Sequence, residues 1–175
     1  MKRTFLVLAG ATLIIASCKN EAGGGMSDRA KKNLDACRIV AKAFETGDVS
    51  KIDDAVASDF VDHNMMGETN RDTLKSMIVK GHQADPTAKM ETVQEFATDD
   101  YAAVWYHFTG NSDGSMGMPK GPYDMKPIEL VKFNKDSKAI EHWEFMEMGE
   151  MMKMMKSMPM PPPSAGGAMD TTKHM

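Results

Sequence analysis

The residues best suited to chemistry lie in one stretch near the end of the chain, Lys138 to Met148, which reads Lys-Ala-Ile-Glu-His-Trp-Glu-Phe-Met-Glu-Met. Side chains alternate between the two faces of a strand, so Trp143, Phe145 and Glu147 would share one face. A carboxyl group beside two aromatic rings in a closed pocket has a raised pKa, which makes Glu147 a candidate general acid or base. The alternative is a solvated carboxylate at the end of a strand.

Three further residues are candidates for the same pocket. His63 either orients a carbonyl oxygen or a water molecule there, or forms a hydrogen bond within its own loop. Trp105 and His107 share one face of a strand rich in aromatic and β-branched residues, where they line either a cavity or the core. His142 has the opposite parity from Glu147, which argues against a dyad formed by these two residues.

Composition and motifs exclude several classes of function. The formal net charge of −4 argues against a nucleic-acid-binding protein, which needs a basic face. The His residues lack the spacing of a zinc site, and no glycine-rich phosphate loop or serine nucleophile elbow is present in the sequence. We therefore expect no cofactor and no nucleic-acid partner.

The N-terminus has the features of a targeting segment. Lys2 and Arg3 precede an apolar run at residues 5–15, which is short for a membrane-spanning helix and ends in small residues before Cys18. This order resembles the lipobox of bacterial lipoproteins and implies cleavage before Cys18, which would then carry acyl chains. Residues 1–17 would be the signal peptide and 18–27 a flexible tether, anchoring the domain by lipid in the bacterial cell envelope, outside the cytoplasm. The alternative is an ordinary secretory signal.

The periodicity of the remaining chain predicts helices first and long strands afterwards. Helices are expected at residues 28–46, just after Asp48, from Arg71 to about Lys80, and at 149–157. Strands are expected at 89–98, 101–109, 125–133 and 138–148, with a loop at 111–121. Segregated helices and strands indicate an α+β domain over residues 28–157, in which helices cover one face of a curled sheet and leave a pocket.

Four segments in this order resemble the nuclear transport factor 2-like superfamily, in its SnoaL-like polyketide cyclase branch. They are Ala43–Asp48, Asp59–Asn64, Trp105–Gly110 and Lys138–Glu144. The resemblance implies a cone in which N-terminal helices pack on a curved, mainly antiparallel sheet with a short C-terminal helix, around a small, largely apolar molecule. In the family's cyclases an acidic residue on the last strand removes a proton next to a carbonyl, and the corresponding residue here is Glu147. Relatives often form homodimers through the outer face of the sheet.

Methionine is unusually frequent near the C-terminus. On the expected helix at 149–157, Met151, Met152 and Met155 form one stripe together with Met148. The thioethers either pack on the sheet or over the pocket mouth, or they bind Cu(I), which soft sulfur ligands select. Residues 158–175 include three consecutive prolines and are predicted to be a disordered tail.

Three hypotheses about function follow from these patterns. The first is a lipid-anchored SnoaL-like domain that binds a small apolar molecule and acts on it by proton transfer. The second is a binding or scaffold lipoprotein of the same fold without chemistry, and the third is a Cu(I)-binding protein. In the first, the predicted catalytic residues are Glu147 and His63, and the predicted ligand-binding residues are Trp105, His107, Trp143 and Phe145.

Overall fold

The computed structural model describes residues 25–64 and 67–157. The predicted signal peptide, Cys18 and the predicted tail at 158–175 lie outside these residues. The helices are α1 (Asp28–Thr46), α2 (Ile52–Ala55), α3 (Arg71–Ala84) and α4 (Met148–Ser157). The strands are β1 (Val56–Asn64), β2 (Gly67–Asn70), β3 (Lys89–Ala97), β4 (Tyr101–Ser112), β5 (Gly121–Met125), β6 (Ile128–Phe133) and β7 (Ala139–Phe145).

The strands form one curved, unclosed sheet in the order β2-β1-β7-β6-β4-β3, with β5 also paired to β4. All neighbouring strands are antiparallel except β1 and β7, which run parallel. Helices α1, α2 and α3 cover one face of this sheet, hereafter the inner face, and the opposite face is the outer face. The predicted α+β class is confirmed, with N-terminal helices on a curved, mainly antiparallel sheet and a short C-terminal helix.

Helix α1 forms because its sequence supplies both ends and an apolar stripe. The Ser27 hydroxyl accepts a hydrogen bond from the Ala30 amide at the start, and Gly47 closes the helix in the left-handed conformation with φ of 70°. Leu34 and Cys37 are buried on the stripe that faces the sheet. The helix therefore serves as a lid over β3 and β4.

The core lies between the helices and the inner face of the sheet. On β4 the buried side chains are Ala102, Val104 and Tyr106, which alternate with exposed or partly buried neighbours. Val131 and Phe133 on β6 extend the same layer and are also buried. This period-two pattern identifies the inner face of each strand, and through strand pairing it determines which side chains on β7 point inward.

Three expectations about element boundaries are wrong. The helix expected just after Asp48 begins only at Ile52, and the strand expected at 125–133 is divided into β5, which pairs with β4, and β6. The last strand ends at Phe145, because α4 begins at Met148 and the Glu147 carbonyl accepts hydrogen bonds from the Glu150 and Met151 amides. Glu147 therefore belongs to a helix start and not to a strand.

Candidate functional site

Four ionisable side chains meet on the inner face, and we call them the inner-face cluster: Asp62 on β1, Glu129 on β6, and His142 and Glu144 on β7. Strand register brings them together. Asp62 is the Cα partner of His142 in the parallel β1–β7 pair, and Glu129 is the partner of Glu144 in the antiparallel β6–β7 pair. Residues directly opposite on neighbouring strands have adjacent side chains, so the sheet itself builds the cluster.

His142 is held between two carboxylates. Its Nδ1 lies 2.8 Å from Asp62 Oδ1, and its Nε2 lies 3.6 Å from Glu129 Oε2, which is longer than a hydrogen bond. Burial disfavours a charged ring, but the hydrogen bond to Asp62 and the charges of both carboxylates outweigh it and raise the pKa of His142 to about 10. The ring is therefore an imidazolium at neutral pH, and its Nε2–H is left to interact with another group.

Asp62 is fixed by its own polar neighbours. Its Oδ2 accepts hydrogen bonds from Asn64 Nδ2 at 3.2 Å and from the Thr69 hydroxyl at 3.4 Å, so the β1–β2 hairpin supports the cluster from one side. Burial acts to raise the pKa of Asp62, but the His142 imidazolium and these hydrogen bonds lower it overall. Asp62 is therefore a buried anion that orients His142 and keeps it charged.

Glu144 lies at the open side of the cluster. The residue as a whole is exposed, but its carboxyl is close enough to Glu129, His142 and Asp62 for their charges to act on it. Partial removal from water, followed by repulsion from the Glu129 carboxylate, raises the pKa of Glu144. A carboxyl group with a raised pKa is a suitable general acid or base, and the neighbouring imidazolium can stabilise negative charge that develops on a bound molecule.

Two neutral groups lie near the cluster, Tyr106 on the inner face of β4 and Cys37 on the side of α1 that faces the sheet. Burial, with the Glu129 charge, raises the pKa of Cys37 to about 12 and also raises the pKa of Tyr106. Cys37 is a buried free thiol. Both groups stay protonated at neutral pH. The parts of β4 and α1 that adjoin the charged cluster are therefore uncharged.

The aromatic and acidic residues predicted to line the pocket have the opposite orientation. Phe145 is 53% exposed, and Glu147 is exposed after the end of β7. The prediction that the face of Trp143, Phe145 and Glu147 lines the interior is therefore wrong. Pairing of Glu144 with Glu129 and of His142 with Val131 turns the even-numbered side chains of β7 inward. The catalytic role predicted for Glu147 required an enclosed carboxyl group, and Glu147 is not enclosed.

The predicted residues on other strands also belong to the outer face. The His63 ring stacks on Trp143 with a centroid separation of 4.9 Å and an interplanar angle of 9°, and its nitrogens lie 3.4 Å from Glu68 and Glu141 oxygens. Trp105 is 40% exposed. His107 Nε2 lies 3.0 Å from an Asp124 oxygen. The structure thus brings His63 and Trp143 together, but away from the helix-covered side.

Sequence reasoning missed Asp62, Glu129 and Glu144, and it used His142 only to argue against a dyad with Glu147. One signal was available for Asp62, which has the parity of the buried Phe60 on β1. A carboxylate on the same strand face as a core aromatic residue points towards the interior, where its charge needs a partner. No equivalent local signal marks Glu129 or Glu144.

The part of the chain that the structure describes contains neither a candidate metal site nor a candidate membrane-spanning helix. Residues 25–64 and 67–157 contain no group of three or more His, Cys, Asp or Glu side chains arranged to hold a metal ion. Within the same ranges, no helix has both the length and the apolar character needed to span a bilayer.

Comparison with solved structures shows what the fold resembles. A candidate SnoaL-like polyketide cyclase from Jannaschia sp. CCS1 superposes with a TM-score of 0.64 at 16% identity, covering 80% of this chain and 100% of that one. AclR, a candidate hydroxylase from Streptomyces galilaeus, has a TM-score of 0.59 at 23% identity, covering 77% and 87% of the two chains. A SnoaL-like polyketide cyclase from Agrobacterium tumefaciens C58 has a TM-score of 0.59 at 12% identity, covering 70% and 97%.

These neighbours carry different activities in their descriptions, so at such identities the likeness establishes the fold alone. No curated protein matches the chain by sequence. The SnoaL-like domain family, in contrast, matches residues 38–142, which include Asp62, Glu129 and His142 and make up more than half of the chain. The chain therefore belongs to the SnoaL-like domain family.

Proposed function

We propose that this chain is a lipid-anchored SnoaL-like domain that binds a small, largely apolar molecule over the inner-face cluster. The observation that carries the proposal is the His142 imidazolium, which Asp62 holds from one side while Nε2 lies beyond hydrogen-bonding distance of Glu129. A fixed charged donor that carries an unshared N–H is suited to an acceptor such as a carbonyl oxygen, and the buried apolar side chains of β4 and β6 nearby suit the rest of an apolar molecule. Solved relatives described as polyketide cyclases support this class of ligand.

We further propose that the cluster transfers a proton within the bound molecule. Glu144 would remove a proton from the carbon next to the carbonyl, and the electron pair of that C–H bond would move to the carbonyl oxygen as an enolate. The Nε2–H of His142 would stabilise the negative charge that develops on this oxygen. The raised pKa of Glu144 makes its carboxylate a stronger base than a solvated one.

The ligand itself is the first test. Native mass spectrometry of the full chain, purified in mild detergent, would reveal a co-purifying small molecule. Replacement of His142 by Gln should reduce its occupancy at least tenfold, because the charged donor is lost. His63→Gln is the matched control, since His63 also contacts two carboxylates but lies on the outer face. Equal loss in both variants, or no loss in His142→Gln, would overturn the assignment of the site.

The chemistry has a separate test that uses the captured ligand. In D₂O the parent protein should incorporate deuterium at the carbon next to the carbonyl, and Glu144→Gln should abolish this exchange while ligand stays bound. Glu147→Gln, three positions further on and exposed, should exchange at the parent rate. Retained exchange in Glu144→Gln would favour the second candidate, a binding protein without chemistry, because the partly open position of Glu144 also suits binding alone.

The lipid anchor is tested independently of the ligand. Cys18→Ala should move the protein from the membrane fraction to the soluble fraction, and the parent should show the mass of an acylated N-terminal cysteine. Cys37→Ala is the matched control, because this buried thiol is not part of the predicted lipobox. Membrane association that survives Cys18→Ala would contradict the anchor.

We also propose that two copies pair through the outer face. Trp105, Ile128 and Phe145 are successive partners on β4, β6 and β7, and they are 40%, 45% and 53% exposed. Three large apolar side chains side by side on an uncovered sheet face are characteristic of an interface. An identical patch on a second copy is self-complementary about a two-fold axis.

A further inference from the structure

The Met-rich segment at residues 146–160 supplies none of the residues of the inner-face cluster, and none of the outer-face row formed by Trp105, Ile128 and Phe145. Residues 146–160 contain eight methionines and no other aliphatic or aromatic residue. Helices α1 and α3 use Leu34, Leu74 and Ile78 to fill the core. A helix that only needed to pack could use any of these side chains, so the exclusive use of methionine draws attention to what distinguishes it, a polarizable thioether sulfur.

The structure separates the two interpretations of this segment. Met148 and Met152 on α4 are 68% and 50% exposed, and Met151 is partly buried. Packing on the sheet, one of the alternatives for these thioethers, therefore leaves at least half of the Met148 and Met152 surface unexplained. Their spacing of i, i+3 and i+4 places the three side chains on one side of the helix, within reach of a common ion.

The ligand chemistry of such a group is selective. Neutral thioethers are soft donors that favour Cu(I), whereas zinc prefers thiolate, imidazole and carboxylate ligands. Glu150, the acid nearest this group on α4, accepts a hydrogen bond from the Lys126 amide at 3.4 Å. Within residues 25–64 and 67–157, no group of three or more His, Cys, Asp or Glu side chains is arranged to compete for a metal ion.

We propose that Met148, Met151 and Met152 form a Cu(I)-binding site on α4. The ion is bound as cargo by neutral ligands, and no electron transfer is required of the protein. Met155 lies at the next position of the same stripe in sequence, and its side chain is outside the described residues. The site is independent of the proposed small-molecule function, because it shares no residue with the inner-face cluster.

The test uses the full chain under anaerobic, reducing conditions, with Cu(I) supplied from a colorimetric chelator that reports its release. We expect one Cu(I) per chain, Ag(I) as a redox-inert substitute at the same site, and no stoichiometric Zn²⁺. A variant with Met148, Met151 and Met152 replaced by Leu should bind at least tenfold more weakly. Circular dichroism establishes that this variant is folded, and Leu keeps the apolar volume.

The matched control replaces two exposed methionines elsewhere, Met26 and Met116, by Leu. This control and His142→Gln should both retain Cu(I) at the parent affinity, which separates this site from the inner-face cluster. Carbon-13 labelling of the methionine methyl groups adds a direct readout, because only ligating thioethers should shift on addition of Ag(I). Parent-like binding by the triple variant, or equally tight Zn²⁺ binding by the parent, would overturn the proposal.

Discussion

The two faces of the sheet carry similar residues in different environments. Each face has a histidine near two carboxylates: His142 with Asp62 at 2.8 Å and Glu129 at 3.6 Å, and His63 with Glu68 and Glu141 at 3.4 Å. Asp62 is buried, whereas Glu68 is largely exposed. Charges attract more strongly where water is excluded, so the inner histidine is fixed as a cation while the outer one belongs to a screened surface network.

This contrast shows why residue type alone does not identify a site. In the sequence, the aromatic residues near the end of the chain and on β4 suggest the lining of a ligand pocket. In the structure, Trp105, Trp143 and Phe145 lie on the outer face. The inner face has few aromatic residues along β6 and β7, and its polar groups are charged and connected. A candidate site differs from an aromatic surface in that its polar side chains are buried and contact one another. Both properties depend on how the strands pair in the sheet.

The largest effect on stability should follow from removing the inner anion. Asp62→Ala leaves the His142 imidazolium without its hydrogen-bond partner, and loss of one member of a buried ion pair costs about 3–5 kcal/mol. The free energy of unfolding, measured by urea denaturation, should fall by this amount.

Glu68→Ala on the outer face is the matched control for Asp62→Ala. Exposed ion pairs contribute about 1 kcal/mol or less, so this variant should unfold near the parent urea concentration. Equal destabilisation of both variants would contradict the inference that the ion pair on the inner face is stronger than the one on the outer face.

The next effect concerns pH. The pKa of His142 in the folded chain is about 10, above its unfolded value of 6.5, so the stabilisation from its charge is complete below pH 6.5 and is lost as pH rises towards 10. At about 1.4 kcal/mol for each unit of pKa, a few kcal/mol should disappear across this window. Chemical denaturation at several pH values measures the loss, and imidazole NMR of His142 reports its pKa directly.

His142→Gln should flatten this dependence between pH 6.5 and 10, while His63→Gln should keep the parent slope. An imidazole signal of His142 that titrates near pH 6.5 would contradict a charged inner histidine.

A smaller effect is expected on association. Ile128→Lys places a charge in the middle of the Trp105–Ile128–Phe145 row and should weaken the proposed dimer at least tenfold, with the monomer still folded. Sedimentation velocity across a dilution series measures the dissociation constant.

Lys132→Glu provides a control for the charge change at a neighbouring outer-face position, where Lys132 Nζ now contacts Glu141 at 2.6 Å. It lies away from the row, so it should change the dissociation constant little. If the parent protein were monomeric at all concentrations, the proposal that two copies pair through the outer face would be wrong.

The smallest effect is expected at the residue that the sequence favoured most. Glu147 is exposed, so Glu147→Gln should change the free energy of unfolding by less than about 0.5 kcal/mol. Ligand occupancy should also be unchanged. Any large loss of ligand in this variant would restore Glu147 to the site and require α4 to close over the inner face.

The sequence alone determined the order and type of most elements. The Ser27 cap, the apolar stripe through Leu34 and Cys37, and the glycine at position 47 predicted α1 with its observed limits. Alternating residues likewise predicted β4 and β7 as strands. These signals are local, because a cap, a helical stripe or a strand alternation is specified by residues a few positions apart.

The tertiary structure alone decided which face of each strand points inward. Both faces of β7 carry polar and apolar residues, so its alternation is equally compatible with either orientation. The choice came from pairing with β1 and β6, across a bulge near Phe133, and from the helix start that ends β7 before Glu147. A shift of one residue in register exchanges the two faces, and register is set by contacts between residues far apart in the chain, which the sequence of one strand does not contain.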